Sequence, residues 1–121
     1  MGMSGLLFPK SPQRKRQRKH AKQSIIHPQR DRHRCLLCMW EGNYQEQAGL
    51  QKHHVFMGPL RSMSEEEGFF VWLCQEHHTI GSKAVHRNHD ACLKLQRYAQ
   101  AKYEQTHSRE EFMKLTGRSY L

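Results

Sequence analysis

The chain has 121 residues, with 20 Lys and Arg against 11 Asp and Glu, and a net charge of +9 when histidine is neutral. That length holds one small domain and excludes a large core. No run approaches the roughly eighteen apolar residues of a membrane span, so no membrane-spanning helix is expected.

The excess charge is confined to the start. Residues 1–34 hold ten Lys or Arg and one acid, Asp31, whereas residues 35–121 hold ten of each. Residues 1–23 are poor in large apolar side chains, and such a composition cannot offset the entropy of ordering. A disordered basic tail over 1–23 is therefore expected, followed by one domain over 24–121. Arg14, Lys15, Arg16, Arg18, Lys19 and Lys22 suit a phosphate backbone, which they would bind with release of counterions. Leu6-Leu7-Phe8 is broken by Pro9, which argues against a signal peptide. Leu6 also stands where a myristoylation pattern needs Ser or Thr. A cytoplasmic protein is expected, and four cysteines in a reducing compartment favour metal binding over disulfides.

Cys35-Leu36-Leu37-Cys38 reads as a zinc knuckle, with Gly42-Asn43 as the turn after it. Residues 44–52 carry no clear signal. His53 to Met57 reads as a short strand stopped by Gly58-Pro59. Ser64-Glu65-Glu66-Glu67 has the form of a capping box, so one helical turn is expected, ending at Gly68 with its glutamates solvated. Phe69 to Leu73 is aromatic and β-branched, the strongest strand signal in the chain. It runs into Cys74, after which a short helix is expected from about Gln75 to His78. Asp90 is the expected cap of a helix over about 91–106, with Cys92, Leu95, Ala99 and either Tyr103 or Tyr98 on its apolar face. Ser108 and Glu111 form a second capping box, opening a helix through Leu115 that Gly117 stops.

Zinc takes four Cys or His ligands, and Cys35, Cys38, Cys74 and His77 make such a set. A knuckle supplies the first pair and a strand-to-helix corner the second, a treble-clef arrangement. Zinc binding of this kind contributes roughly 10–16 kcal/mol, which supports folding of a short chain. Cys92 is read as a buried thiol held in reserve. One zinc leaves histidines over, and histidine is both a divalent-metal ligand and a base with a free pKa of about 6.5. His20, His27, His33 and His107 are read as ordinary surface or core residues, and His89 as a helix-start residue or weak ligand.

The order Cys-x-x-Cys, His53-His54-Val55, Leu73-Cys74-x-x-His77-His78, then Val85-His86, resembles HNH (His-Me finger) endonucleases with an embedded zinc site. It is similar to small phage and prophage nucleases, including RecA-dependent recombination-enhancement nucleases, over about residues 24–90. The resemblance implies a small α+β fold: a ββα-metal core with structural zinc, followed by C-terminal helices. It implies a metal-dependent DNA endonuclease of little sequence specificity. His54 would be the base, assisted by His53, while His53, His78 and His86 would hold a catalytic Mg2+ or Mn2+. DNA and a recombinase filament would be its partners, with no membrane and no small-molecule cofactor, and the bound protein would sit on the nucleoid. Neighbours on a strand point to opposite faces, so either the strand is irregular at His53-His54 or only one of the pair enters the site. The family's asparagine before Cys74 is missing from Gly68-Phe69-Phe70, and Asn88 is the stand-in considered. That departure keeps open a catalytically inactive, zinc-stabilised DNA-binding or recombination accessory protein; a third reading, a zinc-stapled protein-interaction module whose tail binds RNA or an acidic partner, would leave the histidine excess unexplained.

Overall fold

The structure is a computed structural model that describes residues 20, 21 and 23–121. The basic residues Arg14, Lys15, Arg16, Arg18, Lys19 and Lys22, and most of the expected tail, lie outside the described residues. The fold is small and α+β, with one two-stranded antiparallel sheet and several helices. The strands are β1 (Gln51–His54) and β2 (Phe70–Leu73), and His53 pairs with Val71 and His54 with Phe70. The helices are α1 (Leu36–Trp40), α2 (Arg61–Glu67), α3 (His89–Tyr103) and α4 (Arg109–Thr116). A π-helical turn over Glu76–Ile80 follows β2.

An isolated pair of short strands is marginal in water. Here β2 carries the burial: Phe70, Val71 and Leu73 are all buried. A buried histidine secures its outer edge. Trp72 N–H donates to His27 Nδ1 at 2.9 Å, and His27 Nε2–H donates to the Asp31 carbonyl at 2.8 Å. Those two bonds require one neutral tautomer, and burial pushes the His27 pKa below its ordinary value despite Asp31 nearby.

The core is aromatic at its centre. The Phe56 ring lies edge-on to Phe69 at 5.2 Å and to Phe112 at 5.6 Å, and Tyr103 packs on Phe69 at 5.6 Å. Phe112 thereby joins α4 to the core, with Leu115 packed against it as well. Cys92, Leu95, Ala99 and Tyr103 are buried along α3 as their spacing predicts.

Three local expectations need correction. The β1 strand ends at His54, so Val55 and Phe56 already belong to the turn toward Gly58. Ser64 does not cap a helix; α2 starts at Arg61, and Ser64 sits buried within it. Its hydroxyl donates to the Phe56 carbonyl at 2.8 Å and accepts from Phe56 N–H at 3.1 Å. A tertiary partner has taken the hydroxyl that local chemistry would have used for capping. Asp90 yields the start of α3 to Asn88, whose Oδ1 accepts from Ala91 N–H at 3.0 Å. Gly68 stops α2 as expected at φ +81°, and a Cβ there would stand 2.9 Å from the Gln23 carbonyl. The α4 capping box is complete, with Ser108 and Glu111 each bonding the other's backbone N–H. Among the described residues no helix is long and apolar enough to cross a membrane.

Candidate metal centres

Cys35 precedes α1 and its Sγ accepts from Cys38 N–H at 3.4 Å, which turns both thiols to one side. Cys74 leaves β2, and the π-helical turn brings His77 back over it. His77 Nδ1 then lies 3.6 Å from Cys35 Sγ, 3.4 Å from Cys38 Sγ and 3.2 Å from Cys74 Sγ, and Cys38 Sγ is 3.8 Å from Cys74 Sγ. Tetrahedral zinc, with bonds of about 2.3 Å to sulfur and about 2.0 Å to nitrogen, needs S···S of about 3.8 Å and S···N of about 3.5 Å. The Cys3His set therefore fits zinc.

The surroundings fit as well. His77 Nε2–H donates to Glu41 Oε2 at 3.0 Å, so its Nδ1 presents a lone pair to the sulfurs. A carboxylate behind a histidine is the usual outer support of a metal ligand. Gln47 Nε2 donates to Cys38 Sγ at 3.3 Å. Burial pushes the Cys35 thiol up to about 12 and raises Cys38; at Cys74 burial also acts upward but is outweighed by hydrogen bonds, first that of the His77 backbone N–H, so its pKa is lowered. Three thiolates this close to one another would need a cation to coexist.

A second group lies on the other side of the same turn. His53 on β1, His78 in the turn and His86 in the following loop bring their ligand nitrogens within 4.8 Å of one another. The loop gets there by running back along the turn: Val85 N–H donates to the His77 carbonyl and His86 N–H to the His78 carbonyl, at 2.9 and 3.2 Å. His78 and His86 meet Nε2 to Nε2 at 3.0 Å. At that distance the rings share a hydrogen bond, and the two nitrogens lie somewhat closer than the roughly 3.4 Å between two ligands of tetrahedral zinc. His78 Nδ1–H donates to Gln51 Oε1 at 2.7 Å, leaving its Nε2 as the lone-pair atom.

His53 supplies the sharpest evidence. It is 2% exposed, and its Nε2 is the single buried side-chain polar atom without a hydrogen-bond partner among the described residues. Leaving such an atom unpaired costs about 1–3 kcal/mol. Burial, then His86, His78 and His54, push its pKa down to about 3. Burial and His86 lower His78 as well. Both shifts favour the neutral imidazole, the form that binds a metal, and an ion at the triad would give the buried ring the partner it lacks. Imidazole sets suit zinc, iron, copper or nickel, while magnesium and manganese favour oxygen ligands.

Strand alternation resolves the His53-His54 question. Gln51 and His53 share the face of β1 that meets the triad, and Lys52 and His54 share the other. His54 Nε2–H and Lys52 Nζ both donate to Glu65 Oε1 at 2.8 Å. Both histidines still border one cavity of about 340 Å³, together with Lys52, Arg61, His78 and His86. Glu65 is therefore not a solvated helix residue. Burial acts against its charge, but Lys52, His54 and His20 hold its carboxyl down at about 2.

Cys92 and His89 belong to neither group. Asn88 caps α3 through Oδ1, and its Nδ2 donates to the Ser82 carbonyl at 3.4 Å. His107 stacks on Tyr103 at 4.1 Å. Sequence reasoning missed Glu41, Gln47, Gln51, Arg61 and Glu65. Of these only Gln51 carried a signal, its two-residue spacing from His53 on a strand. No family model, curated protein or solved structure matches the chain.

Proposed function

We propose that the protein is a metal-dependent endonuclease that hydrolyses phosphodiester bonds in DNA, with β1, β2 and the π-helical turn serving as a ββα-metal core of HNH type. The observation that carries this reading is the unpartnered Nε2 of buried His53, converging with His78 and His86 on a cavity that also borders a separate histidine and free positive charge. A purely structural protein has no use for that arrangement, since the Cys3His set already provides a staple.

In this reading Cys35, Cys38, Cys74 and His77 hold structural zinc, and His53, His78 and His86 hold the working cation. That cation, when bound, supplies positive charge to the phosphate and to the departing oxygen. His54 accepts a proton from water as the water oxygen bonds to phosphorus and the P–O bond to the departing oxygen breaks; that oxygen takes a proton from solvent. Arg61 has no ion-pair partner among the described residues and meets the phosphate. The basic residues from Arg14 to Lys22 add contacts to the DNA backbone that position without reading sequence. The resemblance implies magnesium or manganese, whereas the imidazole donors favour zinc, iron or nickel.

The test is nicking of supercoiled plasmid with each of these ions in turn and a chelator control. Wild type should relax the plasmid with at least one ion, and His54→Ala and His78→Ala should not. Plasmid retarded in a gel but never cut, with every ion, removes the enzyme. The missing asparagine favours a second reading, a zinc-stabilised DNA-binding or recombination accessory protein, and that result would select it.

A further inference from the structure

The nuclease reading leaves open what orients His54 where the expected asparagine is missing. The geometry points to Glu65 as the positioning residue: we propose that its carboxylate fixes His54 in the Nε2–H tautomer and turns Nδ1 toward the cavity as the proton acceptor. The inference rests on the nuclease reading for its purpose, but not for its geometry.

A carboxylate only accepts hydrogen bonds. At 2.8 Å from Glu65 Oε1, His54 Nε2 must carry the hydrogen, so the lone pair of the neutral ring lies on Nδ1. Lys52 Nζ donates to that same oxygen and His20 Nδ1 bonds the other at 3.0 Å, so the carboxylate is held from both ends. Its helix is held too. One residue earlier, Ser64 bonds both backbone groups of Phe56, just beyond the end of β1. The Glu65 carbonyl itself accepts from Ala21 N–H at 3.1 Å. Glu65 is thus fixed relative to β1 by contacts independent of His54. A side chain locked in this way can hold a neighbour to the narrow geometry that proton transfer demands.

The experiment uses the full-length protein, with plasmid nicking and nitrogen NMR of labelled histidine. In wild type His54 should show one tautomer, with the proton on Nε2. Glu65→Ala should give mixed tautomers and lower kcat about 10–100-fold, the usual effect of losing such outer support, with plasmid affinity unchanged. Glu65→Gln keeps a carbonyl acceptor and should restore the single tautomer and most of kcat. A single Nε2–H tautomer in Glu65→Ala overturns the proposal, as does a glutamine variant no better than the alanine one. If wild type cuts no DNA, the nuclease reading falls, and the tautomer in the three proteins alone decides whether Glu65 fixes His54.

Discussion

His77 and His78 are consecutive in the π-helical turn and serve different centres. Nδ1 of His77 lies within 3.2–3.6 Å of three cysteine sulfurs, while Nε2 of His78 faces Nε2 of His86 at 3.0 Å. Adjacent residues on a helical turn point about 100° apart, so one turn can divide two neighbours between two sites. One turn therefore carries a donor of each candidate centre, so a staple formed by Cys35, Cys38, Cys74 and His77 would also hold His78 in place.

That coupling predicts an order of loss. Cys38→Ser removes a ligand from the staple and should abolish cooperative thermal unfolding, since such sites supply roughly 10–16 kcal/mol of apparent binding energy. His78→Ala should leave a cooperative transition. Elemental analysis should find two ions per chain in wild type and one in His78→Ala. A Cys38→Ser protein that melts like wild type would reverse the assignment of structural and working sites.

His53→Leu should separate stability from ion binding. In protein stripped of the second ion, leucine removes a buried nitrogen that has no partner, and melting under denaturant should show a gain on the order of 1 kcal/mol. Isothermal titration should show the second ion no longer bound. A loss of several kcal/mol would mean that His53 makes a structural contact in the folded core.

Acid should weaken the fold through His27. Burial lowers its folded pKa below the unfolded value of about 6.5, so the unfolded chain binds the extra proton first. Its contribution is fully present above that pH and is lost as pH falls from there toward the folded value. Urea midpoints measured from pH 8 to pH 5 should therefore decline below about 6.5. His27→Gln should be less stable at pH 8 and flatter across that window; parallel curves would remove His27 as the cause.

DNA affinity should depend on residues 1–19. Their removal leaves His20 and Ala21 in place on α2. The slope of log affinity against log salt should shrink by about 0.9 for each phosphate that is no longer neutralised. Arg61→Ala should instead reduce cutting more than binding. An unchanged salt slope in the truncated protein would exclude the basic segment from DNA binding.

Much was legible in the sequence because it depended on short spacings. The Cys-x-x-Cys and Cys-x-x-His pairs, the Ser108–Glu111 box, the Gly68 and Gly117 stops and the apolar face of α3 all follow from a few residues of local geometry. Local geometry misled where a distant group took the atoms it counted on, and where a nearer competitor stood beside the expected residue. Ser64 gives its hydroxyl to Phe56 instead of capping a helix, and Asn88 takes the cap assigned to Asp90.

The residue types along the chain determined by themselves that two sets of metal donors exist and which elements carry them. Only the tertiary structure decided how they divide. The hairpin register sends His53 to the triad and His54 to Glu65, and the loop returning along the π-helical turn brings His86 to His78. Those pairings join residues between eight and 33 positions apart, a range over which spacing carries no angular information and packing alone sets direction.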